Sequence, residues 1–160
     1  MNATDADEWM KFAEDDLASA KKLIAPPDPR WGTGAYHCQQ AAEKAMKALL
    51  VLHGGGLQKR METHDIGVLL EKLAEYIGDI EGLEGLELKA EGLSQLSTMY
   101  RYPGLASQPL TQEVIDKAVA DAELFLSKAR QLIVSMKNRA GDGSGGGASG
   151  GPATRAKYSH

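Results

Sequence analysis

The sequence predicts an all-α protein, a bundle of four or five helices. Apolar residues recur at helical spacing through five segments, whereas no segment alternates apolar and polar residues over a useful length. Prolines and glycines stand between those segments, where they end helices. A chain of 160 residues is long enough to bury one core of this kind.

The first predicted helix begins at Asp5 or Asp7 and ends at Ile24, because prolines follow at positions 26, 27 and 29. The second helix is rich in alanine and ends before the glycines at positions 54–56. Its circumference is mostly apolar, with one narrow polar row of four residues: Tyr36, Gln40, Glu43 and Lys47. We therefore expect this helix to be buried among neighbours, with partners for its polar row.

Three further helices follow. Thr63 is the predicted N-cap of the third, with Asp65 favourably placed against the helix dipole. The fourth begins near Leu86 and ends before Pro103. Thr111 is the predicted N-cap of the fifth helix, which carries the most regular apolar stripe of the chain. The bundle is predicted to span residues 1–138, and the glycine-rich residues 139–160 are predicted to form a flexible tail.

Composition narrows the function classes. The formal net charge of −4 argues against a broad electrostatic grip on nucleic acid or anionic lipid, although it leaves a local basic site open. The lone Cys38 excludes an intrachain disulfide and is expected to be a buried thiol. The acidic N-terminus and the lack of a long apolar run predict a cytoplasmic protein that does not enter a membrane.

Several segments, taken in order, resemble the HEPN family of small prokaryotic helical-bundle proteins. They are Trp9 with AEDDL at residues 13–17, YHCQQAAEKAMKALL at residues 36–50, THDI at residues 63–66 and YRYP at residues 100–103. The resemblance covers roughly residues 9 to 136. It implies an antiparallel bundle that often forms a homodimer. It also implies pairing with a minimal nucleotidyltransferase, commonly as a toxin–antitoxin couple, and no cofactor.

Some members of the family are metal-independent ribonucleases, and others have been proposed to bind nucleotides. The nucleases use an arginine that a histidine follows within a few residues. Arg101 is the arginine at the matching position here, but the segment YPGLASQ after it contains no histidine. A nuclease activity would therefore need Arg101 to act with another acid or base, for which His64 is the candidate.

Lysines of the second helix and Asp16 of the first helix are the leading candidates for a polar site. Asp16 projects into an apolar face, where a carboxylate needs a partner. One interpretation is an ion pair with Lys44 or Lys47; the other is a polar site in which a lysine and Arg101 hold a phosphate. Gln40, Glu43 and Lys47 form either a solvated face or dimer contact, or a surface on which Gln40 meets a base and Lys47 a phosphate.

The ends of the third and fourth helices supply the remaining candidates. His64 and Asp65 either cap the third helix or help its free N–H groups to hold an anion. The sequence Tyr100, Arg101 and Tyr102 puts a planar cation between two aromatic rings. This arrangement suits the binding of a nucleotide or of an RNA phosphate. It equally suits the packing of this loop on the bundle.

Three functions follow from these alternatives. The first is a dimeric nucleotide- or RNA-binding module that acts with a nucleotidyltransferase. The second is a ribonuclease toxin that uses Arg101 with His64. The third is a structural bundle without a ligand. No spacing of histidine and cysteine predicts a metal site.

Overall fold

A computed structural model of the protein describes residues 3–53, 63–78 and 83–146. Within these ranges the chain forms five helices and no strand, which confirms the predicted all-α bundle. The helices are α1 (Ala3–Ile24), α2 (Trp31–Leu52), α3 (Ile66–Ile77), α4 (Leu86–Met99) and α5 (Gln112–Gly146).

The helix ends agree with the sequence at most positions. α1 stops at Ile24, and the hydroxyl of Thr111 accepts a hydrogen bond of 3.2 Å from the Val114 amide in the first turn of α5. The predicted N-cap of α3 is wrong by two residues. Asp65, not Thr63, is the N-cap, because it has extended backbone geometry and its carboxylate reaches the free amides of the first turn.

The backbone of α5 is helical up to Gly146, past the predicted domain boundary at 138. Residues 147–160 lie outside the described residues, as do residues 54–62, where α2 was expected to meet its glycine stop. Residues 139–146 therefore continue α5, and the predicted flexible tail stays a prediction for residues 147–160.

α2 is the centre of the bundle and packs against each of the other four helices. Its small residues allow close approach: Ala41, Ala42 and Ala45 are completely buried. At Gly34 a Cβ atom would lie 2.5 Å from the Cγ2 atom of Ile24, so any larger residue there would displace the Ile24 side chain between α1 and α2. This packing confirms that the alanine-rich helix is buried among neighbours.

α1 and α5 run antiparallel along one side of the bundle. Three ion pairs connect them at intervals of about two helical turns: Asp7 with Lys137, Glu14 with Arg130, and Lys21 with Glu123. All three pairs are substantially exposed, so each contributes at most about 1 kcal/mol to stability. Their regular spacing reports the register of the two helices.

Among the residues that the structure describes, none of the helices has the length and apolar character needed to cross a membrane.

Candidate functional site

The second half of the polar row of α2 is buried, whereas Tyr36 and Gln40 in its first half are half-buried. Glu43 is 1% exposed and Lys47 is 5% exposed, so the interpretation of these two residues as a solvated face is wrong. Other helices and the segment before α3 cover the row, and the polar groups are paired with one another or with residues from those elements. The expectation that the row needs partners is confirmed.

The first polar cluster joins α1 to α2 through Asp16. One carboxylate oxygen of Asp16 accepts a hydrogen bond from the Lys44 ammonium, and the other lies 2.8 Å from Nδ1 of His37. His37 and Lys44 are separated by two turns of α2, which puts them on the same face. The predicted ion pair of Asp16 therefore forms with Lys44 and not with Lys47, and His37 is a partner that sequence reasoning missed.

The second polar cluster is built around the buried carboxylate of Glu43. Its Oε1 atom lies 2.8 Å from Nδ1 of His64 and 3.6 Å from the Lys47 ammonium. Lys47 also lies over the ring of Trp9, at 5.5 Å from the centroid, in a cation–π contact. The two ends of the cluster differ greatly in exposure: the Lys47 side chain is 7% exposed, whereas that of His64 is 79% exposed.

The Glu43 carboxylate fixes the orientation of the exposed His64 ring. With Nδ1 directed at the carboxylate, Nε2 is the ring nitrogen left for solvent or for a ligand. In the neutral ring this arrangement makes Nε2 the proton acceptor. A histidine whose ring is oriented by a carboxylate in this way can act as a general acid or base.

Arg101, two residues after the end of α4, lies against two aromatic rings. Its guanidinium carbon lies 4.5 Å from the centroid of Tyr36 and 5.7 Å from that of Tyr102. The sequence predicted an arginine between Tyr100 and Tyr102, but Tyr100 turns away and donates its hydroxyl to the carbonyl of Gln108 at 2.7 Å. The first ring is Tyr36 from α2, a residue that is far from Arg101 in the chain.

A close backbone approach brings the end of α4 against α2. A Cβ atom at Gly32 would lie 2.9 Å from the carbonyl oxygen of Tyr100, so a larger residue there would push the α4 terminus away. Because Tyr36 is one turn further along α2, this contact brings Arg101 to its ring. The guanidinium makes no hydrogen bond or ion pair with any described residue, so its N–H donors are unpaired there.

His64 and Arg101 line the same cleft, which has a volume of about 470 Å³. The cleft is bounded by α2, by the segment leading into α3 and by the second half of α4. Its lining residues are Tyr36, Gln39, Gln40, Thr63, His64, Asp65, Ser94, Ser97, Thr98 and Arg101.

A chain of hydrogen bonds orients the two glutamines of the cleft. Gln39 donates to the backbone carbonyl of His64 at 2.9 Å, and Gln40 donates to the side-chain oxygen of Gln39 at 2.8 Å. Gln39 is 5% exposed, and it ties the segment before α3 to α2. No described residue pairs with the amide oxygen or the second N–H of Gln40, so both can serve a ligand.

Four of the predicted site residues come together at the cleft: Gln40, His64, Asp65 and Arg101. Tyr102 contacts Arg101, but it does not line the cleft. The cleft is not lined by Asp16, Lys44, Lys47 or Tyr100 either, because these residues are engaged in the contacts described above.

Sequence reasoning missed Tyr36, Gln39 and Glu43 as site residues. The helical row shared by Tyr36, Gln40 and Glu43 was the signal that could have found two of them.

Two further observations concern the chemistry available. Within residues 5–53, 63–78 and 83–139, no group of three or more histidine, cysteine, aspartate or glutamate side chains is arranged to hold a metal ion. Cys38 is completely buried in the core, and this burial, with a smaller effect of the Glu123 charge, raises the pKa of its thiol to about 12. Such a thiol is a packing group and a poor nucleophile.

The fold places this chain among small all-α bundles that are built around one buried, alanine-rich helix. The chain belongs to the HEPN domain family, whose model matches residues 6–132. It is also similar to a protein of Methanocaldococcus jannaschii named "Putative toxin MJ1304", with 28% identity over 130 residues that cover 81% of this chain and 84% of that protein. No solved structure matches the chain.

Proposed function

We propose that this HEPN protein is a toxin-like module whose cleft binds a nucleotide or a phosphate of an RNA chain. The state of Arg101 is the observation that carries the proposal. Two rings hold its guanidinium, yet its N–H donors have no partner among the described residues, although they border an open cleft. A guanidinium whose described contacts are with aromatic rings keeps its N–H donors for a ligand, and they can bind a phosphate as a two-pronged fork.

The other groups of the cleft fit the same ligand. Gln40 offers a donor and an acceptor for a base edge, and Ser97 and Thr98 add hydroxyl groups. The toxin-like part of the proposal rests on family membership and on the name of the archaeal relative. We extend it to a homodimer that acts with a minimal nucleotidyltransferase, as the family resemblance implies, and to the cytoplasmic location that the sequence predicts.

Binding of a short single-stranded RNA, followed by fluorescence anisotropy at low salt, tests the proposal. We expect the native chain to bind and Arg101→Gln to bind about tenfold more weakly, since a hydrogen-bonded charge contact is lost. Arg130→Gln is the matched control, because Arg130 is a half-exposed arginine that pairs with Glu14 on the α1–α5 side. Equal affinity of the native chain and Arg101→Gln would reject the cleft as the binding site.

A ribonuclease is the second candidate function, and the pair of Glu43 with His64 favours it. An exposed histidine oriented by a buried carboxylate can take or give a proton at Nε2, and it shares the cleft with an arginine that can hold the phosphate. Incubation of the RNA with native chain, His64→Ala and Arg101→Ala separates the two functions. Cleavage by the native chain that both changes abolish would establish a nuclease. RNA that is bound but stays intact would show that the cleft binds RNA without cutting it.

The partner proposals need separate measurements. Light scattering of the purified chain tests the homodimer, and a monomeric mass at micromolar concentration would contradict it. Co-purification with a minimal nucleotidyltransferase encoded beside this chain tests the second partner. Failure of all RNA and nucleotide probes to bind would instead favour the structural bundle without a ligand.

A further inference from the structure

Trp9 is connected to the exposed His64 by a chain of three contacts. The Trp9 ring lies 5.5 Å from the Lys47 ammonium, and that ammonium lies 3.6 Å from Oε1 of Glu43. The same oxygen lies 2.8 Å from Nδ1 of His64. The chain begins on α1, passes through α2 and ends in the segment before α3, so it links three parts of the bundle.

Lys47 and His64 both approach the Oε1 atom of Glu43, but at different distances. An N–H group donates a hydrogen bond to oxygen at about 2.7–3.2 Å between the heavy atoms. The 2.8 Å contact of His64 lies in this range, whereas the 3.6 Å contact of Lys47 lies outside it. The carboxylate oxygen therefore accepts its hydrogen bond from the histidine and has only an ionic contact with the lysine.

The longer distance of Lys47 needs a physical cause, because the pair is buried. The side chains of Lys47 and Glu43 are 7% and 2% exposed, and a buried ammonium and carboxylate gain most when they close to hydrogen-bond distance. The Trp9 ring supplies a pull in another direction. A cation within about 6 Å of an indole centroid is attracted to the ring, and more strongly so when water is excluded.

The orientation of the His64 ring depends on its bond to Glu43. Gln39 donates to the backbone carbonyl of His64 at 2.9 Å, which fixes the main chain but leaves the ring able to turn. The side chain is 79% exposed, so packing restrains the ring little. Because a carboxylate only accepts hydrogen bonds, the neutral ring must carry its proton on Nδ1 to keep this one.

From this arrangement we infer that Trp9 is a positioning residue for His64, because its ring holds Lys47 back from the Glu43 oxygen that orients the histidine. Without the ring, the Lys47 ammonium closes on Oε1 and displaces Nδ1 of His64. The neutral ring then no longer keeps its proton on Nδ1, and Nε2 loses its fixed role as proton acceptor. The inference rests on the second proposed function only for the use of His64 as an acid or base.

Long-range ¹H–¹⁵N NMR spectra of the full chain, labelled with ¹⁵N-histidine and held at alkaline pH, measure the tautomer of His64. A His64→Gln variant assigns its signals. We expect the native ring to carry its proton on Nδ1, and Trp9→Leu to lower the ratio of Nδ1–H to Nε2–H about tenfold. Trp9→Phe keeps an aromatic ring and is expected to keep most of the native ratio. A native ratio in a folded Trp9→Leu variant would overturn the inference.

Phe12→Leu is the matched control. Phe12 is an aromatic residue one turn further along α1, and it is 58% exposed. Its replacement is expected to leave the tautomer of His64 unchanged. A change as large as that in Trp9→Leu would show that any aromatic residue of α1 has this effect, and it would overturn the specific role of Trp9.

Variants of Lys47 separate positioning from a general loosening of the bundle. Lys47→Met removes the competitor, so the Nδ1–H tautomer of His64 is expected to persist, and this result does not depend on whether Trp9→Leu folds. The double variant Trp9→Leu with Lys47→Met is expected to recover the Nδ1–H tautomer, whereas a loosened structure would not recover it. Loss of Nδ1–H in Lys47→Met, or no recovery in the double variant, would overturn the inference.

RNA incubated with the same variants distinguishes this inference from the proposed nuclease. If the native chain cleaves RNA, Trp9→Leu is expected to lower kcat about tenfold with little change in KM, in step with the tautomer ratio. Intact RNA together with the expected tautomers would reject the nuclease and support the inference. Cleavage by a chain whose His64 tautomer does not respond to Trp9→Leu would support the nuclease and overturn the inference.

Discussion

Replacement of Glu43 by methionine tests the buried pair on which the central helix depends. In Glu43→Met the Lys47 ammonium loses its ionic partner while its side chain stays 7% exposed, with the Trp9 ring as its remaining contact. Removing one member of a buried pair typically costs about 3–5 kcal/mol. We expect about 3 kcal/mol, the lower end, because the cation–π contact is retained. For a chain of 160 residues this corresponds to a fall in Tm of roughly 10 °C.

A double-mutant cycle isolates the pair. Lys47→Met alone is expected to cost about 2 kcal/mol, less than Glu43→Met, because the carboxylate keeps His64. The double variant Glu43→Met with Lys47→Met is expected to cost about 2 kcal/mol or less, since two apolar side chains of similar size replace the buried charges. The single changes should therefore be coupled by about 3 kcal/mol.

Urea denaturation followed by circular dichroism measures these free energies. Glu14→Met is the matched control, because Glu14 belongs to a pair with Arg130 in which both side chains are 49% exposed, and its loss should cost less than about 1 kcal/mol. Additive effects of Glu43→Met and Lys47→Met would refute the reasoning, as would a cost of Glu43→Met no larger than that of the control.

Three further predictions concern single positions. Gly34→Ala should destabilise the bundle by about 1–3 kcal/mol in urea denaturation, because its Cβ would lie 2.5 Å from Ile24 Cγ2, and Ile24→Ala should relieve most of the added cost. Asp65→Ala should cost about 1 kcal/mol through the loss of the α3 cap, whereas Asp65→Asn should be close to neutral. Cys38 should resist a thiol reagent at pH 8 in the native protein and react at once in guanidinium; rapid native reaction would contradict its burial.

The Cys38 thiol also gives stability a defined dependence on pH. Its pKa is raised from the ordinary 9.0 to about 12 in the folded chain, so between these values the unfolded chain releases the proton that the folded chain keeps. The contribution of Cys38 is complete below pH 9.0 and is lost as pH rises toward 12. Urea denaturation at several alkaline pH values should show a steeper loss for the native chain than for Cys38→Ala. Parallel loss in both would contradict the assignment.

Helix positions were predictable because their signals are local. Pro26 stands two residues after the end of α1, Pro103 follows the end of α4, and the hydroxyl of Thr111 caps α5 as expected. The cap of α3 was misplaced because Thr63 and Asp65 are both good capping residues and only the backbone geometry decides between them. The continuation of α5 to Gly146 was not predicted, since the composition changes sharply after Arg139.

The pairing of site residues was less predictable because it depends on how the helices cross. The sequence placed Asp16 against Lys44 or Lys47, and only the register of α1 on α2 selects Lys44. The contact of Arg101 with Tyr36 depends on the close approach of the α4 terminus to α2, which no local pattern encodes. The pairing of Glu43 with His64 likewise depends on where the segment before α3 lies.

The most direct test of the account is a titration of the isotope-labelled chain with AMP, followed by ¹H–¹⁵N NMR spectroscopy. The proposed site predicts saturable shifts for amides around the cleft, at Gln40, His64 and Arg101, and their loss in Arg101→Gln. It predicts no comparable shift for residues near Phe12, on the exposed face of α1. Saturable shifts confined to that face, or shifts at the cleft that persist in Arg101→Gln, would contradict the claim that Arg101 holds the ligand there.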